Sequence, residues 1–194
     1  MKLSMTRTLS VLLILCCPTS GIADARPLEI CINYHCNRTV PVILDQEDQA
    51  QLRALFWNIE TPEQERHQLR LAIALLEDTV GRLTGTWRDL GKNAAGAGKH
   101  GQLDCIAESK NTTSYLKLMD QDGLLRWHRV LERTVRHPWI LDFHWTAVIE
   151  DQTSGIRYAV DSWYLDNGQP PYIQKLDDWL VKRRFPQQTN APDT

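Results

Sequence analysis

Apolar and polar residues alternate from residue 28 to 36, where Leu28, Ile30, Ile32 and Tyr34 share one face. That two-residue period predicts a strand, and residues 40–44 predict a second, with Asn37-Arg38-Thr39 between them as a hairpin connection. The period then changes. Asp45 is placed to cap a helix running to about Trp57. Thr61-Pro62-Glu63-Gln64 is a stronger start signal, with a capping threonine, proline at the first helical position and Gln64 completing a capping box. Leu69, Ile73, Leu76, Val80 and Leu83 recur at helical spacing behind it, and Gly85 offers a stop. Residues 85–103 carry four more glycines and three alanines and predict a flexible loop with little to pack, of a length that is often functional. Asp104 reads as an N-cap, so Cys105 falls in the first turn of a helix reaching about Met119, followed by Gly123. Three segments rich in β-branched and aromatic residues follow, at 124–135, 140–150 and 156–164. Turn signals at His137-Pro138 and at 151–155 separate them, which predicts an antiparallel meander. Asn167-Gly168 and Pro170-Pro171 form a loop, residues 176–185 a short closing helix, and 186–194 a loose polar tail.

Composition bounds this picture. The chain has 194 residues, 42% of them hydrophobic and seven of them tryptophan, enough for one ordinary domain with a packed core. We place that domain at 26–185, with the hairpin and helices at 26–84. The formal net charge is −2 and no basic block stands out, which argues against nucleic acid as a partner. The glycines of 85–103 lack the lysine–serine/threonine ending of a phosphate loop. Residues 1–25 read as a secretory signal peptide: Lys2 and Arg7, an apolar run at 9–17, Pro18, then small residues at Ala23 and Ala25 where cleavage is expected. The run is too short for a permanent membrane span. The expected location is therefore periplasmic or secreted.

An oxidising compartment makes the cysteines informative. Removing the leader leaves Cys31, Cys36 and Cys105, an odd number. Cys31 and Cys36 are close enough for a local disulfide, which leaves Cys105 as the free thiol; pairing of Cys31 with Cys105 stays open. Cys31, His35 and Cys36 lack a fourth partner for zinc, and no metal or other cofactor is expected. A thiol near its ordinary pKa is only about a few per cent ionised at neutral pH. A helix N-terminus favours the thiolate, and Cys105 sits at one. A histidine to take the proton is the other need. On the second strand of the meander His144, Thr146 and Val148 face one side, opposite Phe143, Trp145, Ala147 and Ile149. In the next strand Asp161 interrupts an apolar run, and a buried aspartate requires a partner. A hairpin with Gln152-Thr153 at its tip sets Asp161 directly opposite His144, with Cβ atoms about 5 Å apart.

The segments Gly101-Gln102-Leu103-Asp104-Cys105, Phe143-His144-Trp145-Thr146-Ala147-Val148 and Tyr158-Ala159-Val160-Asp161-Ser162-Trp163 span residues 100–165. Their order, nucleophile at a helix start, histidine on a strand and aspartate on the next, resembles the transglutaminase-like superfamily of papain-like cysteine enzymes and its exported bacterial members. The resemblance implies an α+β fold with the nucleophile helix packed on an antiparallel sheet. It implies Cys105 as nucleophile, His144 as base then acid, and Asp161 as its orienting group. The implied chemistry is hydrolysis or transfer at peptide or isopeptide amides through a thioester, on a peptide or protein substrate. A cell-wall peptide cut by a peptidoglycan endopeptidase, and a non-catalytic binding domain of the same fold, are the alternatives. The Cys105 N–H is the first oxyanion donor, with Gln102, Trp87 and Asn93 as candidates for the second; Trp145 is either a core tryptophan or a shield for the imidazole.

Overall fold

The structure is a computed structural model that describes residues 27–137 and 143–182. The signal peptide with its cleavage at Ala23 or Ala25, the proline of the His137-Pro138 turn, the strand start at residue 140, the end of the closing helix at 185 and the polar tail lie outside the described residues. Within them the protein is α+β, with four α-helices and two antiparallel sheets. The first sheet is the hairpin of β1 (Leu28–Cys31) and β2 (Thr39–Val42), in register Leu28 with Val42. The strand expected to run to residue 36 stops at Cys31, and Tyr34–Cys36 forms a 3-10 turn in which His35 and Cys36 take left-handed backbone. Cys31 and Cys36 form a disulfide across it, and Cys105 is the free cysteine.

α1 (Gln46–Leu55) begins where Asp45 accepts from the Asp48 N–H at 2.8 Å. α2 (Pro62–Thr84) begins at Thr61, whose hydroxyl accepts from Gln64 N–H. The return bond of the capping box differs from the expected one: Gln64 Oε1 takes the N–H of Glu60, not of Thr61. One turn in, Glu65 is fully buried. It accepts from the backbone N–H groups of Arg126, Trp127 and His128 and pairs with the His128 ring at 2.9 Å, fastening α2 to the start of the meander. Gly85 ends α2 in the left-handed conformation.

The loop after α2 is the main departure from expectation. It is tied down rather than loosely packed. Asp89, itself buried, accepts from Leu103 N–H at 2.7 Å and from Asn93 Nδ2 at 2.6 Å. Lys92 N–H reaches the Trp163 carbonyl, and Gly91 N–H reaches Asp166. The glycines serve close approach: a Cβ on Gly101 would lie 2.3 Å from the Gly85 carbonyl oxygen, and one on Gly91 2.6 Å from that of Tyr164.

α3 (Cys105–Gln121) follows, then β3 (His128–Arg136), β4 (His144–Asp151), β5 (Arg157–Asp161) and β6 (Tyr172–Lys175), an antiparallel meander in the order β3-β4-β5-β6. β6 lies between the expected loop and the closing helix, where no element was expected, and α4 (Leu176–Leu180) closes the described chain. One sheet face, with Ala147, Ile149, Val160 and Ile173, packs on Leu69, Ile73 and Leu76 of α2 and Tyr115, Leu116 and Met119 of α3. Burying each such leucine or isoleucine contributes about 1.5–3 kcal/mol. The other face, with Val148 and Ala159, is covered by Leu176 and Trp179 of α4. Among the described residues no helix is long and apolar enough to cross a membrane.

Candidate active site

Asp104 makes the start of α3. Its Oδ1 accepts from Ala107 N–H at 2.9 Å, and its Oδ2 from the backbone N–H and ring Nδ1 of His35 at 3.0 and 2.9 Å. Cys105 is thus the first helical residue, half-buried, with its own N–H and that of Ile106 directed out of the helix end without intrahelical acceptors. Its thiol points at the Phe143 carbonyl oxygen, 4.0 Å from sulfur, a loose contact that brings it to the first residue of β4.

That residue is His144. It is buried, and its Nε2 lies 2.8 Å from Asp161 Oδ2. With Nε2 so engaged, Nδ1 is the nitrogen left for Cys105, which is close enough to favour the protonated ring. Burial pulls the imidazole pKa down. The hydrogen bonds and negative charges of Asp161 and Cys105 outweigh burial and leave it raised to about 8.

The pairing between His144 and Asp161 comes about differently from the expected one. β4 and β5 pair Ala147 with Val160 and Glu150 with Arg157, and Asp151 N–H closes onto the Ile156 carbonyl. The hairpin tip is therefore longer than a two-residue turn and the ladder is shifted by two residues. The expected direct opposition of His144 and Asp161 is corrected to a diagonal one. A two-residue shift preserves the face, so the side chains still meet; a one-residue shift would have separated them.

The walls of the site were not anticipated. Trp163, Tyr164 and Trp179 surround the His144 ring at centroid distances of 5.0, 5.1 and 5.6 Å. Trp179 Nε1 donates to Asp161 Oδ2 at 2.7 Å. Arg136 lies over the Trp179 ring, donates to the Trp179 carbonyl and bonds the Tyr164 hydroxyl. Trp179 sits in a separate element, and the need of a buried indole N–H for a partner is the one signal the sequence carries for it.

The remaining expected residues sit elsewhere. Gln102 donates through Nε2 to the Arg88 carbonyl and accepts from Asn93 Nδ2, while Asn93 also donates to Asp89. Both amides help to hold the loop together. Trp87 is exposed, with Arg88 stacked on it. Trp145 has the opposite strand parity to His144 and carries Arg133 on its ring, so shielding of the imidazole falls to Trp163, Tyr164 and Trp179. Arg133 reaches Ser109 Oγ at 2.8 Å and lies within electrostatic range of Cys105, adding a positive charge near the sulfur.

Behind Cys105 lies a buried acidic group. Burial, with the adjacent Glu77 and Asp89 charges, pushes Glu108 well above the carboxylate range. Burial also raises Glu77 to about 7 and Asp89 to about 6. Among the described residues no group of histidine, cysteine and carboxylate side chains is arranged to hold a metal ion.

Fold and side chains together define an α+β protein in which a helix-borne thiol, a strand-borne imidazole and a carboxylate from the next strand converge. No family model, curated protein or solved structure matches the chain.

Proposed function

We propose that this protein is an exported cysteine-dependent acyl hydrolase or acyl transferase of transglutaminase-like fold, acting on peptide or isopeptide amides through a thioester. The observation that carries the reading is the placement of Cys105 at the start of α3 beside a His144 ring whose far nitrogen is held by Asp161 at 2.8 Å. A raised imidazole pKa beside a thiol at a helix N-terminus favours the thiolate–imidazolium form. The thiol proton passes to His144 Nδ1 and the sulfur attacks the amide carbon. The oxyanion forms beside the N–H groups of Cys105 and Ile106. His144 returns the proton to the departing amine as the C–N bond breaks, leaving an acyl thioester on Cys105. Water or a second amine then gives its proton to His144 and attacks the thioester, and Cys105 leaves with the proton restored. The disulfide agrees with residence in an oxidising compartment.

The test is alkylation of native protein with iodoacetamide across pH, followed by ammonia release and fluorescent-amine incorporation using casein. Rapid labelling of Cys105 with a depressed thiol pKa, and turnover abolished in Cys105→Ala, is the expected result. Labelling with the profile of an ordinary thiol, and no turnover, overturns the proposal.

A further inference from the structure

The disulfide-closed turn at residues 31–36 meets the nucleophile segment at several separate points. His35 and Cys36 both hold left-handed backbone, with φ of 58° and 55°, a conformation that non-glycine residues disfavour. The Cys31–Cys36 bond closes the turn and holds it there. In that shape the backbone N–H and the ring Nδ1 of His35 converge on a single oxygen, Asp104 Oδ2, at 3.0 and 2.9 Å. The other oxygen of Asp104 caps α3. The Tyr34 hydroxyl bonds the backbone carbonyl and side-chain oxygen of Asn93 and accepts from Gly96 N–H, inside the loop that leads to Cys105. Asn111, nearly two turns along α3, brackets Cys31 by accepting from its N–H at 2.8 Å and donating to its carbonyl at 3.0 Å.

Asp104 is the residue before the nucleophile, and a carboxylate beside a sulfur disfavours the thiolate. Among the described residues, His144, Arg133, Tyr34 and Tyr164 lie within electrostatic range of Cys105. His35 contacts Asp104 twice, through its backbone N–H and its ring.

We propose that the disulfide-closed turn is a positioning element for Cys105, with His35 as its positioning residue, holding the Asp104 cap and drawing its charge away from the sulfur. The inference rests on the reading of Cys105 as the nucleophile. It has a practical consequence. A dithiol added to keep Cys105 reduced also delivers two electrons and two protons to the Cys31–Cys36 bond, giving two thiols while the reagent closes to its own disulfide. The turn is then released and the site is loosened by the reagent meant to protect it.

The experiment is the pH profile of Cys105 alkylation by iodoacetamide in the native protein, His35→Gly, His35→Asn and the double variant Cys31→Ser/Cys36→Ser. Glycine keeps the backbone bond to Asp104 and suits the left-handed backbone, so only the ring contact is lost. The rate for His35→Gly at pH 7 is expected to fall roughly threefold to tenfold, with the thiol profile moving up by half to one pH unit. Asparagine, which tolerates the left-handed region and carries an amide donor, is expected to recover part of the loss. The double variant is expected to fall by roughly tenfold or more while keeping the near-ultraviolet circular dichroism of the folded core. Profiles for His35→Gly and the double variant that overlay the native one overturn this inference and leave the triad reading standing. A native profile like that of a free thiol overturns both.

Discussion

Trp179 and His144 share one acceptor, for both the indole Nε1 and the imidazole Nε2 lie within 2.8 Å of Asp161 Oδ2. Two donors on one buried carboxylate oxygen fix its direction. The indole also covers the imidazole from the α4 side, with 5.6 Å between ring centroids. Replacing Trp179 with Phe keeps an aromatic ring but removes the N–H. We expect a loss of about 2–4 kcal/mol in chemical unfolding, from a charged hydrogen bond and a partial cavity. The pH profile of Cys105 alkylation is expected to move as well. A variant that loses stability yet keeps the native profile would show that Trp179 acts on the core alone.

Removing the charge from Asp161 tests the triad directly. Asp161→Asn retains the size and leaves His144 without an anion to favour its protonated form. The imidazole pKa is expected to fall, and amide turnover to drop by on the order of 100-fold or more. His144→Ala removes the proton acceptor itself, and its alkylation profile is expected to return to a thiol pKa of about 8.5. Alkylation of His144→Ala at the native rate across pH would show that the helix N-terminus, not the imidazole, governs the sulfur.

Stability is expected to decline from pH 5 to pH 8 because Glu77, Asp89, Glu108 and His144 are all raised and hold protons that the unfolded chain has lost. Glu77 and Asp89 are raised to about 7 and about 6, so between the ordinary carboxylate range and those values the folded protein holds more protons than the unfolded chain. Stability falls as pH rises through that window. His144 is raised to about 8, so its stabilising contribution is complete below about 6.5 and is lost as pH climbs through 8. Urea titrations at half-unit intervals check this. Glu77→Gln is expected to flatten the lower part of the decline and His144→Ala the upper part. A flat native profile across both windows would contradict the assignment.

How much of this was legible depended on whether the signal was local. Caps at Asp45, Thr61 and Asp104 were readable because the capping side chain is within three residues of the N–H it binds. The face shared by His144 and Asp161 was readable because strand parity survives an even register error, whereas the register itself depended on a turn whose length the sequence left open. The tryptophan and arginine wall was not readable. Trp179 reaches Asp161 from 18 positions away, and Arg136 reaches Trp179 from 43. Nothing in a one-dimensional pattern orders those encounters. The ties within the loop at 85–103 are hidden from the sequence for a related reason. Its glycines suggest looseness, but Asp89 and Asn93 bond Leu103 and Gln102 across the loop, and Tyr34 reaches Gly96 from the distant β1–β2 turn.

That loop supplies the final prediction. Gly101 has φ of 78°, and a Cβ there would approach the Gly85 carbonyl oxygen to 2.3 Å. Backbone strain and backbone overlap therefore act together, and the overlapped atom belongs to the C-cap of α2 rather than to a flexible side chain. Gly101→Ala is expected to destabilise the protein by about 2 kcal/mol or more. The shift must displace Gln102 and Leu103, whose bonds to Arg88 and Asp89 hold the entrance to α3. Gly98→Ala is the control. It shares the left-handed backbone, with φ of 78°, but has open space around the new methyl, so it incurs the strain of on the order of 1 kcal/mol without the clash. Urea midpoints that coincide for the two variants would show that the close approach to Gly85 contributes nothing, and that conformation alone places glycine at both positions.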